Sequence, residues 1–349
     1  MNDARARLRY LDETIDLLFP GPGVPRPYTL LPHRLLPRRL VPRAWWHPGG
    51  RLIVPSGQDG IENHLSEVFD TPVRVTLRVR PALRANRKPI LEARGPDGPI
   101  AFVKVGDTDL TRELVAHEAR TLDLLAGVPL KTVVPPAVLH HGSWRGLSVL
   151  ALTPLPVRRG RIPRGVLTDA IAEIARVPAE PVPERAPSKD PGYPDPDPVA
   201  VSAPDLNPDP VGRALGDRAR ATGTEPRTGR EFAWHGDLTP WNISRGPDGR
   251  LLVWDWERFG TGVPLGFDAV HHFFQRALRR DDPATAARAC VARALRILAP
   301  FGLSAAESRL TAIRYLIALA DRHAADGHTP LGPPELWLNP VVDSQEALL

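Results

Sequence analysis

The chain contains His235-Gly236-Asp237-Leu238-Thr239-Pro240-Trp241-Asn242, and thirteen residues beyond Asn242 it reads Asp255-Trp256-Glu257. An acid, an amide five positions on and a second acid are the polar parts that phosphoryl chemistry needs. One carboxylate can orient a hydroxyl nucleophile. The amide and the other carboxylate offer hard oxygen donors that hold Mg2+ against nucleotide phosphates. Between the two motifs lies Gly246-Pro247-Asp248-Gly249, with Pro, Asp and Gly where a tight turn wants them. Residues 242–245 and 251–254 therefore read as the arms of a hairpin. Folding about that turn sets Asn242 opposite the neighbourhood of Val253 and leaves Asp255 at the open end, beside Asp237. The plainer alternative, in which both acids cap turns and Asn242 closes one, needs every spacing to coincide.

Lys104 is the next informative position. The chain has few lysines, and this one sits inside the apolar run Phe102-Val103-Lys104-Val105. A strand interior disfavours Lys unless its ammonium finds a partner. The following segment reads as a helix from about Leu110 to Leu125, with Leu114, Val115, Leu122 and Leu125 as its apolar stripe. Glu118 lies on that stripe, and a carboxylate facing a core should be paired. A Lys104–Glu118 ion pair answers both needs. The alternative is a lysine that snorkels to water and a glutamate at the edge of the stripe.

Further out, Val73 to Val79 alternates like a strand, and so do Ile90 to Ala93 and Ile100 to Val105 around the turn Gly95-Pro96-Asp97-Gly98. Val133 to Leu139 and Leu147 to Leu152 read as two more strands. Beyond Pro154 the pattern becomes helical: Leu167 to Ile174, Ala284 to Leu298 and Ser304 to Ala325. Near the start, Leu8, Leu11, Ile15 and Leu18 mark an amphipathic helix ending near Phe19. A segment with proline every fifth residue follows (Pro32, Pro37, Pro42), which forbids a regular helix and favours an extended strand or polyproline path. With Arg34, Arg38, Arg39, Arg43 and Trp45-Trp46 it could meet an anionic surface; the simpler expectation is a segment wrapped over the domain. Residues 178–210 are rich in Pro and Asp and read as an insert.

The 349 residues, 42% of them apolar, suffice for one large or two modest cores. The net charge of +5 comes with abundant Arg and 41 prolines, a composition that argues for coding bias rather than nucleic-acid binding. Cys290 is the single cysteine, which excludes an intrachain disulfide and suits a reducing compartment. No stretch approaches the roughly 20 apolar residues of a membrane span. The expectation is a cytoplasmic protein with neither membrane nor nucleic acid as partner.

On Lys104, Glu118, His235-Gly236-Asp237 with Asn242, and Asp255-Trp256-Glu257, the chain resembles the aminoglycoside phosphotransferase/choline kinase-like family. Its fold is that of protein kinases, where HRD and DFG replace HGD and DWE, and no Ala-Pro-Glu follows Asp255 here. The resemblance runs from about Val73 to Ala325 and is most specific from Phe232 to Asp268. It implies an α+β, protein-kinase-like bilobal fold, with a small β-rich N-lobe (residues 71–153) and a mainly helical C-lobe (154–349), preceded by an N-terminal extension (1–70). It implies Asp237 as catalytic base, His235 as a brace of its loop, and Asn242 and Asp255 as metal ligands. Lys104 would bind phosphate, with Glu118 as its partner. Leu150-Ala151-Leu152-Thr153 would be the hinge, making Leu150 and Leu152 cofactor contacts. The implied cofactors are ATP, or GTP, with Mg2+; the implied partner is a small-molecule hydroxyl acceptor. Asp268 is read as a helix cap.

One departure stands out. The loop from Arg80 to Pro89, expected to cover the phosphates, has no glycine. Backbone N–H groups approach phosphate less closely past Cβ atoms. Arg84, Arg87 and Lys88 are candidates to grip the phosphates with side chains instead. The alternative is a nucleotide-binding or regulatory pseudokinase. His140-His141 and His271-His272 lack zinc-ligand spacing, and Trp241 is the tryptophan expected near an acceptor.

Overall fold

The computed structural model describes residues 3–31, 38–47, 50–79, 86–158, 160–178, 231–326 and 331–341. Arg84, the middle of the proline pentad and nearly all of the expected insert lie outside the described residues.

The first half of the chain forms α1 (Asp3–Leu18), β1 (Val24–Leu31), β2 (Arg38–Pro42), β3 (Arg51–Ser56), α2 (Ile61–Val68), β4 (Arg74–Val79), β5 (Ile90–Gly95), β6 (Gly98–Gly106), α3 (Asp109–Ala126), β7 (Val133–Val134), β8 (Val138–Trp144) and β9 (Leu147–Leu152). Apart from β7, the strands make one sheet in the order β3-β1-β2-β4-β5-β6-β9-β8, with every pair antiparallel. The first seventy residues therefore build the N-lobe as much as extend it. Three of their strands join its sheet, while Leu11, Ile15, Leu18, Ile61 and Leu65 share a core with Val75, Leu77, Leu91 and Val103. The sheet of this lobe therefore holds eight strands. The extended path that periodic proline favours is realised in β2, which pairs with β1 and β4 rather than wrapping over the surface, because ladder geometry tolerates a proline wherever no N–H is needed. Leu8 was expected on the buried stripe of α1 but is 48% exposed. The expected strand from Val133 to Leu139 is broken by Pro135-Pro136, which cannot donate to a ladder.

The second half forms α4 (Arg164–Ile174), β10 (Phe232–Trp234), β11 (Ile243–Arg245), β12 (Leu251–Val253), β13 (Gly260–Val263), α5 (Phe267–Ala277), α6 (Pro283–Ala292), α7 (Ala294–Leu298), α8 (Ala305–Ala325) and α9 (Pro334–Trp337). The helix expected from Ala284 to Leu298 is two, broken at Arg293. A second core lies among these helices, built on Ile174, Phe274, Tyr315, Leu316, Leu319 and Trp337. Val115, Ala119 and Leu122 of α3 also join it. Helix α3 thus touches both lobes. Local signals fix its start: Thr108 accepts from the Thr111 N–H in a capping box. Ser304 and Glu307 do the same for α8.

The buried N-lobe carboxylate Glu62 accepts from Tyr28 Oη at 2.7 Å and from the Val75 N–H at 3.0 Å. This ties α2 to both β1 and β4. Tyr28→Phe should lower unfolding free energy by about 1–2 kcal/mol, measured by urea denaturation, because Glu62 loses a buried donor.

Candidate active site

The hairpin forms as its turn residues dictate. Ile243 pairs with Val253, and the Trp254 N–H donates to the Asn242 carbonyl at 3.1 Å. Asn242 and Asp255 are thereby held at one end. Asn242 Nδ2 donates to Asp237 Oδ2 at 2.8 Å and to the Asp237 carbonyl at 3.0 Å. This leaves the amide oxygen as what Asn242 can offer a cation.

Lys104 projects from the middle of the sheet, opposite Ile90 on β5 and Leu150 on β9. Its Nζ donates to Glu118 Oε2 at 2.5 Å and to Asp255 Oδ1 at 2.6 Å. Glu118, fully buried, accepts the Trp256 N–H on its other oxygen at 3.1 Å. One carboxylate on α3 therefore fixes both the lysine and the backbone next to Asp255. Burial works against the ammonium, but Asp255 first and Glu118 next outweigh it and raise the Lys104 pKa. Asp255 itself sits in the left-handed region, at φ 74°, a conformation that non-glycine residues hold only under constraint.

Asp237 is oriented from behind by residues that the sequence reading did not single out. His271 Nε2 lies 3.1 Å from Asp237 Oδ1, and His271 Nδ1 lies 2.9 Å from the Tyr315 hydroxyl. Burial lowers the His271 pKa. A carboxylate only accepts, so Nε2 carries the proton and Nδ1 accepts from Tyr315. His235 Nδ1 accepts the Asp237 N–H at 3.1 Å, and burial pushes His235 down to about 4, so it braces the loop as a neutral ring.

Asp268 was expected to cap a helix, but α5 starts from Gly266 without a side-chain cap, and Asp268 lies in its first turn facing the loop of His235. Its carboxylate accepts the N–H groups of His235 at 2.7 Å and Gly236 at 3.3 Å, and burial pushes it up to about 7. Arg322 of α8 donates to the Gly236 carbonyl at 2.6 Å. Gly236, at φ 80°, is required here. A Cβ at that position would stand 2.0 Å from the Arg258 carbonyl oxygen. An Asp followed three residues later by His on an apolar helix was the available sequence signal for Asp268 and His271.

The remaining expected cofactor contacts are placed differently. Lys88 pairs with Glu257 at 2.5 Å. Arg87 lies over the Tyr10 ring at 4.7 Å and near Glu13 at 3.4 Å, which turns it towards α1. Leu150 and Leu152 are buried, and their backbones pair with β6 on one side and β8 on the other. Past them, the Thr153 N–H donates to the Ala137 carbonyl and the Val157 N–H to the Leu155 carbonyl. Pro154 and Pro156 have no N–H, so Leu155 carries the uncommitted backbone donor of this link. Trp241 is 44% exposed beside Asn242. Trp45 and Trp46 stand out from the N-lobe, 94% and 61% exposed.

An antiparallel sheet carrying a paired lysine, a helix shared by both lobes and a helical lobe carrying the acidic loop make one pattern. The chain has a protein-kinase-like fold. No family model matches the chain, and no curated protein matches it. Among solved structures it is similar to a putative fructosamine-3-kinase from Haemophilus somnus 129PT, at 14% identity and TM-score 0.48, over 80% of this chain and 96% of that one. It is also similar to the macrolide 2'-phosphotransferase MphH from Brachybacterium faecium, at 16% identity and TM-score 0.45, over 79% and 95%. A third is APH(2")-IIa in a streptomycin–ATP complex, at 13% identity and TM-score 0.42, over 75% and 90%. Likenesses this distant carry no argument about chemistry, which rests on the residues above.

His272 Nδ1 lies 3.0 Å from the Leu238 carbonyl, and burial pushes this imidazole down to about 4. It is neutral when folded and takes a proton near 6.5 when unfolded, so its stabilising contribution is complete above pH 6.5 and lost as pH falls towards 4. Unfolding free energy should drop by up to about 3 kcal/mol across that window. His272→Gln should make the profile shallower, leaving the part due to His235, which burial also pushes down to about 4, as measured by denaturant melts at stepped pH.

Proposed function

We propose that the protein transfers the γ-phosphoryl group of ATP or GTP to a hydroxyl of a small molecule. The observation that carries this reading is the convergence of Lys104, Glu118 and Asp255 with Asp237 and Asn242. The acidic loop and the N-lobe lysine are 151 residues apart in sequence, yet make a 2.6 Å contact. A carboxylate and an amide oxygen are hard donors and fit Mg2+. Asn242 and Asp255 would hold the ion, and bound Mg2+·nucleotide would supply the phosphoryl group together with charge compensation.

The chain's own residues do the rest. Asp237, oriented by His271 and Asn242, would accept a hydrogen bond from the acceptor hydroxyl and take its proton as the new O–P bond forms and the bond from the γ-phosphorus to the bridging oxygen breaks, with the nucleoside diphosphate leaving. Lys104, held by Glu118, neutralises phosphate charge in a loose transition state, where positioning and electrostatics supply most of the acceleration. The Leu155 N–H is the backbone donor offered to the base edge. Trp241, exposed beside the catalytic loop, offers an apolar face to the acceptor.

The glycine-free loop preceding Lys88 favours a second reading, a nucleotide-binding regulatory pseudokinase. Both are tested by ATP-consumption screening against a library of hydroxyl compounds, with thermal-shift titration by Mg·ATP alongside. Turnover that falls to background in Asp237→Asn and Asp255→Ala, each still folded by circular dichroism, is the expected result. Nucleotide-dependent stabilisation without turnover on any acceptor would favour the pseudokinase. Turnover retained in Asp255→Ala would refute the site assignment.

A further inference from the structure

Glu257 closes the Asp255-Trp256-Glu257 motif, yet the phosphoryl-transfer reading gives it no task. It is buried, and so is its partner. The side chains of Lys88 and Glu257 are 5% and 6% exposed, with Nζ 2.5 Å from Oε2. Asn86 Nδ2 adds a donor to Glu257 Oε1 at 3.4 Å, and Lys88 Nζ reaches back to the Asn86 carbonyl at 3.4 Å. These two residues end the glycine-free loop and lead directly into β5. Pro89, next in line, accepts the Val105 N–H on β6, so Lys88 stands on the sheet that also carries Lys104.

The surroundings define what the pair does. Ligand oxygens of Glu118, Asp255 and Glu257 lie within 4.8 Å of one another. Three carboxylates that close repel strongly unless cations are interleaved. Lys104 sits between Glu118 and Asp255, and Lys88 takes Glu257. The turn from Asp255 to Glu257 is thus pinned at three successive residues: Asp255 by Lys104, the Trp256 N–H by Glu118, and Glu257 by Lys88. Asp255 holds a left-handed backbone, at φ 74°. Such a conformation persists only where the surroundings over-determine it.

We propose that Lys88 and Glu257 form a positioning latch. It anchors the end of the phosphate-side loop to the turn bearing Asp255 and holds that carboxylate in its cation-binding orientation. The inference rests on the functional reading in one respect, that Asp255 ligates a divalent ion, and it can fail separately.

Mn2+ alone is the probe, titrated into the full chain and followed by electron paramagnetic resonance. Lys88→Met and Glu257→Gln should each weaken Mn2+ affinity about tenfold. The double variant should be no worse than the worse single, because the two act as one unit. Lys88→Arg, which keeps the charge, should stay within threefold of the unmodified chain, and it carries the comparison with Lys88→Met if Glu257→Gln does not fold. Affinity within twofold in both singles would overturn the latch, as would additive losses. Tighter binding in Lys88→Met with weaker binding in Glu257→Gln would also overturn it, since Glu257 would then be a ligand that Lys88 masks. An unmodified chain that binds Mn2+ without consuming ATP fails the phosphotransfer reading alone, and the variants still decide the latch. An unmodified chain that binds no Mn2+ overturns both.

Discussion

The arrangement depends on Lys104 sitting between two carboxylates in a place with little water. Isolated there, an ammonium or a carboxylate would carry a desolvation penalty of several kcal/mol. Together they offset it, and removing one member leaves the others uncompensated at a cost of about 3–5 kcal/mol. Such clusters contribute little net stability compared with apolar packing. Their effect is positional: Glu118 comes from a helix that lies against the N-lobe sheet and joins the C-lobe core, Lys104 from the middle of that sheet, and Asp255 from the open end of a C-lobe hairpin. Three parts of the molecule agree on one point in space.

Behind that point the loop bearing Asp237 is held from the opposite side. Asp268 takes two consecutive N–H groups, Arg322 takes the Gly236 carbonyl, and His271 relays Tyr315 to Asp237. Each of these comes from α5 or α8, whose apolar faces are locked together around Phe274 and Tyr315. The rigidity of Asp237 is therefore inherited from ordinary helix packing. This is the economical way to hold a reacting group to within a fraction of an ångström.

What the sequence disclosed was what is local or periodic. The spacing from Asp237 to Asn242, the turn at Gly246 to Gly249, Lys104 in an apolar strand and Glu118 on an apolar stripe are all legible within a few helical turns or one hairpin. Contacts joining distant segments were not. Gly236 and Arg322 are 86 residues apart, and nothing near either announces the other. Lys88 looked like one cation of a basic loop, because its burial against Glu257 depends on how β5 meets the acidic turn. The proline rhythm allowed an extended strand at β2, but the simpler reading of a surface wrap missed that Leu40 faces a core.

The link between the lobes has its own consequence. After β9 the chain passes through Pro154, Leu155 and Pro156 before reaching α4. Two pyrrolidine rings fix their own backbone torsions and restrict the residue ahead of each. A connection so stiff resists bending. Helix α3, which lies against β6 and β9 and joins the C-lobe core, offers little slack beside it.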